Sequence, residues 1–156
     1  VSISIDYIRQ KASERKTVGS AYVGDVLSSE IWQYLQENHA FIVDVRTNPE
    51  LKFVGTPDLT NTKTRLISLE WLRYPDFEAN PHFITDIMRL IQDETASIFF
   101  LCKTGGRSAM AANAAAQFGY KDCFNIMHGF EGDHDENLHR GSVNGWKAEG
   151  LPWKQP

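Results

Sequence analysis

The sequence predicts an α/β fold with a mostly parallel central sheet and helices on both faces. Three observations predict it. Residues 41–46 and 98–101 are short, largely apolar runs, the pattern of strands covered on both faces. Between such runs lie longer segments with apolar residues at helical spacing, at Ile31, Trp32 and Leu35 and again at Phe83, Ile84, Ile87, Met88 and Ile91. The two kinds of segment alternate, as crossovers between parallel strands require.

Taken in order, Ile3, Ile5 and Ile8 fit either a short strand or a helical turn packed on the domain. Residues 17–20 read as a loop and residues 21–27 as a strand. Ser28 or Ser29 can cap a helix that runs to Asn38. Residues 41–46 follow as a central strand, and residues 65–70 as the next. Residues 71–77 form an aromatic loop in which Trp71 and Tyr74 either pack on the core or line an entrance; packing is the expected use, since large aromatics mostly serve burial. Asn80 is placed to cap the next helix, with Pro81 at its first position. Residues 98–101 form a strand, and residues 108–118 an alanine-rich helix that can sit close to the sheet, with Gly119 suited to its C-cap. Residues 122–127 form the last strand, in which Cys123 is expected as a small buried core residue. From His128 the chain is punctuated by glycines and reads as a loop-rich extension held down by Phe130, Trp146, Leu151 and Trp153.

Composition narrows the function. The chain has 156 residues, 42% hydrophobic and 23% charged, which suits one domain with its own core. A net charge of −4 argues against general nucleic-acid binding. No apolar run approaches the roughly 20 residues needed to span a membrane. No basic region precedes an apolar core at the start, so no signal peptide is visible, although an initiator methionine is also absent. Only two cysteines occur, Cys102 and Cys123, at opposite ends of their predicted strands, so no internal disulfide is expected and a reducing, cytoplasmic compartment is. His128, His134 and His139 lie among Asp133, Asp135 and Glu136, but their spacings match no common zinc or calcium pattern. A solvated polar loop is expected there, not a metal site.

The chemistry concentrates at Cys102, Lys103, Thr104, Gly105, Gly106, Arg107 and Ser108, between the strand over 98–101 and the helix after it. Open α/β folds place their sites at that strand edge. Gly105 and Gly106 let the loop curl so that its backbone N–H groups from Lys103 to Arg107 turn inward as an anion cradle. The helix N-terminus points its positive end to the same place, and Lys103 and Arg107 add charge. A thiol so placed is expected to be largely thiolate near neutral pH, the nucleophilic form. Arg107 fits two uses equally, contact with an anion or an ion pair that braces the loop.

Cys-Lys-Thr-Gly-Gly-Arg-Ser resembles the active-site loop of rhodanese-family sulfurtransferases, Cys-x-x-Gly-x-Arg-Ser. Cysteine phosphatases carry a loop one residue longer, and in that family comparison the shorter loop suits a terminal sulfur rather than a phosphate. Asp44-Val45-Arg46, followed by Glu50, is similar to a segment of rhodanese-like domains, where both Asp44 and Arg46 are read as structural support; a pair between Asp44 and Arg107 would also fix the loop. Gly55-Thr56-Pro57-Asp58-Leu59 departs from the usual Gly-His-Ile-x-Gly-Ala. The resemblance covers about residues 20–132, and residues 145–153 resemble extensions of some bacterial single-domain members. It implies a single rhodanese-like domain over 1–156, with a loop-rich extension over 133–156. It further implies transfer of sulfane sulfur from thiosulfate or a persulfide to cyanide or a thiol through a persulfide on Cys102. Neither metal nor organic cofactor is needed. The implied partners are a small-molecule donor and acceptor and a sulfur-relay protein, with no nucleic acid and no membrane. The alternatives are a rhodanese-like binding or regulatory module without turnover, against which the presence of Cys102 counts, and a phosphatase or arsenate reductase, against which the loop length counts.

Overall fold

In the computed structural model of the protein, residues 2–156 are described. The chain opens with α1 (Ile5–Ser13), β1 (Gly24–Val26), α2 (Ser28–Glu37) and β2 (Phe41–Asp44). Next come α3 (Asn48–Val54), β3 (Thr56–Pro57), β4 (Arg65–Ser68), β5 (Leu72–Arg73), β6 (Glu78–Ala79) and α4 (Phe83–Leu90). It ends with β7 (Ser97–Leu101), α5 (Gly106–Gln117), β8 (Asp122–Ile126) and β9 (Trp153–Lys154). The main sheet has five parallel strands in the order β1-β8-β7-β2-β4. This is the α/β arrangement that the alternation predicts.

The strand carrying the cysteine is the middle one. Every residue of β7 is buried, and its side chains alternate between the two faces. Phe99 and Leu101 join Ile8, Ile31, Leu35 and Ile126 under α1 and α2. Ile98, Phe100 and Cys102 join Phe83, Ile87, Ala111, Ala112 and Ala115 under α4 and α5. Phe99 stacks on Phe124 of β8 with ring centroids 4.9 Å apart. Burying one such ring stabilises the fold by about 1.5–3 kcal/mol, and this pair ties the two strands under the site together. Ala111, Ala112 and Ala115 of α5 are fully buried, which brings the helix, and the loop before it, close to the sheet.

Several boundaries differ from the sequence reading, each for a local reason. The ambiguous start is a helix, capped by Ser4, whose Oγ accepts the Tyr7 N–H. The strand expected over 21–27 is only Gly24–Val26. α1 crosses so near that a Cβ on Gly24 would lie 1.9 Å from the Ala12 carbonyl oxygen. Strand β2 is interior but not central. Helix α4 starts at Phe83 rather than Pro81, because Asn80 Oδ1 accepts the His82 N–H and closes a turn there instead. Helix α2 is capped from a distance: Glu149 in the tail accepts the Ser28 hydroxyl at 2.8 Å and the Ser29 N–H at 2.5 Å.

The tail folds back on the sheet's C-terminal edge. Trp146 is fully buried, meets Trp32 edge-on at 5.8 Å, and donates Nε1–H to the Pro152 carbonyl. Strand β9 pairs antiparallel with β3. No helix among the described residues is long and apolar enough to cross a membrane.

Candidate active site

Cys102 is the first residue beyond β7 and is 1% exposed. The chain then turns sharply: Gly105 has φ +108, and α5 begins at the next residue. That turn aims the Gly105 N–H at Cys102 Sγ, 3.1 Å away. Ser108, one turn into the helix and fully buried, places its hydroxyl oxygen 3.2 Å from the same sulfur. The thiol therefore sits between a backbone donor and a hydroxyl, in front of the helix N-terminus. Thr104 and Gly106 are exposed on the outer side of the loop, and Lys103 is half-buried.

A clamp of main-chain hydrogen bonds holds the loop from the tail side. Phe130 donates its N–H to the Cys102 carbonyl at 2.8 Å, and Glu131 and Gly132 donate theirs to the Lys103 carbonyl. The approach is so close that a Cβ on Gly129, which has φ +64, would lie 2.4 Å from the Cys102 carbonyl oxygen.

Arg107 braces the loop. Its two terminal nitrogens meet the two Glu50 oxygens at 2.8 and 2.9 Å, a fork-to-fork pair between α5 and α3. Glu50 also accepts the N–H and the hydroxyl of Thr47, capping α3. Burial pushes the Glu50 carboxyl up, but hydrogen bonds from Arg107 and Thr47 outweigh it and hold the group down at about 2, from 4.5. Its contribution to stability is thus fully present above 4.5 and is lost as pH falls through about 2. At neutral pH, Glu50→Gln is expected to cost about 1.5–3 kcal/mol. Urea unfolding at stepped pH should show that gap to be flat above 4.5 and to close toward 2. A gap that ignores pH would rule the ion pair out as its source.

The pairing of Asp44 with Arg107 does not occur. Asp44 instead binds Arg46 two residues on, with Nε to Oδ1 at 2.9 Å and Nη2 to Oδ2 at 2.7 Å. Side chains two apart on the same strand end share a face, so the near partner wins. Both residues are fully buried. Arg46 also donates to the Gly55 carbonyl, and its guanidinium carbon lies 4.3 Å from the Phe130 ring centroid. The buried pair stands directly behind the clamp on Cys102.

Beside the loop lies a cavity of about 450 Å³ lined by Glu50, Val54, Phe77, Lys103, Arg107 and Glu131. Of the aromatic segment, Phe77 reaches it. Trp71 packs edge-on against Phe83 at 5.0 Å, and Tyr74 is 58% exposed next to the cis Tyr74–Pro75 bond. The four formal charges of the lining cancel, and Arg107 is already engaged by Glu50. Among the described residues, no group of three or more His, Cys, Asp or Glu could hold a metal ion. The sequence reading missed Asn125, a nearly buried polar residue in β8 whose oxygen lies 2.5 Å from the Ser108 hydroxyl. One polar residue inside an apolar strand was the signal.

Comparison with known proteins matches residues 24–156 to the model of the STR4 middle domain family. An uncharacterized protein of Rickettsia conorii is 40% identical over 134 residues, covering 85% of this chain and 98% of its own. The crystal structure of Rv0390 from M. tuberculosis aligns with a TM-score of 0.76 at 37% identity, covering 86% of this chain and 99% of that one. More distantly, the chloroplastic rhodanese-like domain-containing protein 4 of Arabidopsis thaliana is 25% identical over 121 residues, covering 77% of this chain and 23% of that protein.

Proposed function

Because the chain belongs to the STR4 middle domain family and has a rhodanese-like fold, we propose that it is a sulfurtransferase working through a persulfide on Cys102. The observation that carries this reading is the placement of Cys102 Sγ. It lies at the end of the middle strand, within a six-residue Cys-to-Arg loop, with the Gly105 N–H directed at it from 3.1 Å. The thiolate of Cys102 attacks the outer sulfur of a sulfane donor. A bond forms between Sγ and that sulfur, the donor's S–S bond breaks, and the electron pair leaves with the donor remnant. An acceptor thiolate or cyanide then attacks the outer sulfur, and the Cys102 thiolate returns. The two half-reactions predict ping-pong kinetics. Gly105 N–H supports negative charge on sulfur in both.

The cavity favours one class of donor. A small dianion such as thiosulfate would underfill about 450 Å³ and would find Arg107 already neutralised by Glu50. A low-molecular-weight persulfide carrying both an ammonium and carboxylates matches the mixed lining better. Its acceptor is a thiol or cyanide, and free thiols in both half-reactions suit the cytoplasm.

Intact-mass measurement tests this directly. Incubation with glutathione persulfide is expected to add the mass of one sulfur atom, which cyanide or a thiol then removes with the sulfur recovered on the acceptor. Thiosulfate should load the protein at least about tenfold more slowly, the cost of one unmatched charge contact. If neither donor adds mass, the reading fails and a binding module without turnover takes its place.

A further inference from the structure

Behind Cys102 lies a line of polar contacts that the transfer reaction does not use. Asn125 is 3% exposed in β8, and its amide bridges three groups. Nδ2 lies 3.0 Å from Asp25 Oδ1 and 3.2 Å from the Gly105 carbonyl oxygen. The Tyr22 hydroxyl holds the same Asp25 oxygen at 3.1 Å. A carboxylate and a carbonyl accept hydrogen bonds and donate none, so the amide has one admissible orientation, with Oδ1 toward Ser108. The Ser108 oxygen is 2.5 Å from that Oδ1, which also only accepts, so the hydroxyl proton points at Asn125.

A serine hydroxyl has a single proton. The same oxygen is 3.2 Å from Cys102 Sγ and therefore turns a lone pair toward it. A lone pair accepts from a thiol S–H and repels a thiolate. When Cys102 ionises, its proton goes to water, and the Ser108 hydroxyl must leave Asn125 and swing to Sγ to become a donor. We propose that Asn125, anchored by Asp25, is a positioning residue that sets the pH at which Cys102 ionises by holding the one proton of Ser108. The idea rests on Cys102 as the reacting atom.

Other charged and titratable groups face the sulfur's surroundings. They are Lys103 and Arg107 of the loop and α5, Glu50 of α3, the Asp44–Arg46 pair at the end of β2, Asp25 of β1 and His128 after β8. A change at Asn125 alone leaves all of them in place. Replacing its amide by an apolar group costs little in satisfied partners. Gly105 O still accepts the Ala109 N–H, and Asp25 keeps Tyr22.

The test is the pH profile of alkylation by iodoacetamide, which needs neither sulfur donor nor acceptor. Cys123 does not interfere, since burial and then the charge of Asp122 push its thiol up to about 12. Asn125→Leu frees the Ser108 proton for sulfur, so the midpoint is expected to fall by about one pH unit. In a Ser108→Ala background the same substitution should shift it by nothing. A midpoint that stays or rises, or an equal shift in both backgrounds, overturns the proposal. If Asn125→Leu does not fold, Asn125→Ala read in the same two backgrounds replaces it, because it removes the same acceptor from Ser108 and changes no charge. The midpoint is again expected to fall only where Ser108 is present, and any other pattern overturns the proposal. A midpoint shift in a protein that takes up no sulfur would leave Asn125 positioning the thiol while removing the sulfurtransferase. Sulfur loading with no midpoint shift would do the reverse.

Discussion

Cys102→Ser is expected to take up no sulfur from any donor, a loss of at least about a thousandfold in loading and transfer. The substitution keeps the shape of the site. An Oγ at this position still meets the Gly105 N–H and the Ser108 hydroxyl that now approach Sγ at 3.1 and 3.2 Å. It lacks the sulfur that must bond to the transferred sulfur. Cys123 cannot take over. It is fully buried, its thiol is pushed up to about 12 by burial and then by the charge of Asp122, and it pairs in register with Ile98. From Ile98 to Cys102 the chain advances roughly 13 Å at about 3.3 Å per residue, so the two sulfurs occupy opposite ends of the sheet. Intact mass after incubation with persulfide reads the result, and an unchanged unfolding midpoint shows that the fold is kept. Loading of the variant at the wild-type rate would place the sulfur elsewhere and remove Cys102 from the mechanism.

What the sequence made legible here is what depends on neighbours along the chain. The run at 98–101, the cysteine, two glycines and an alanine-rich segment are contiguous, and their order reads as strand, turn and helix. The contacts that build the site from afar were not legible. Glu50 and Arg107 lie 57 residues apart, and the sequence offers Arg107 several carboxylates with nothing to rank them. Asp44 and Arg46 were visible as structural support, but the partner named for Asp44 was Arg107 and not Arg46, two residues on. The clamp from residues 129–132 onto the Cys102 and Lys103 carbonyls is made by backbone atoms, which leave almost no mark on side-chain pattern. Its trace is Gly129, which reads in sequence as one glycine among many in a loose tail. The strand drawn over 21–27 was too long because its limit is set by α1 crossing at Gly24, a tertiary fact. Asn125 is the intermediate case, since its polarity inside an apolar run was on view, but its partners Asp25 of β1 and Ser108 of α5 come from two other elements brought to it only by the fold.

Asp44→Ala is expected to destabilise the protein by about 3–5 kcal/mol, because it leaves a charge buried without its counter-ion. Arg46 has no exposed surface, and one of its terminal nitrogens, Nη1, already lacks a hydrogen-bond partner. Without Asp44 the guanidinium keeps only the Gly55 carbonyl and the face of Phe130 among its described contacts. The penalty belongs to the orphaned charge rather than to the pair as such. Attraction between two buried charges roughly offsets the cost of taking both from water, so removing both should be far milder than removing one. Asp44→Leu combined with Arg46→Met is therefore expected to recover most of the loss, and urea unfolding with an unchanged slope measures both. The functional consequence separates the two variants from Cys102→Ser. Arg46 packs on Phe130, and Phe130 N–H holds the Cys102 carbonyl at 2.8 Å, so the single substitution loosens the loop from behind. Sulfur loading should slow in Asp44→Ala and return with stability in the double variant. If Asp44→Ala unfolds within about 1 kcal/mol of wild type, the buried pair carries no such penalty and the guanidinium finds water or another partner instead.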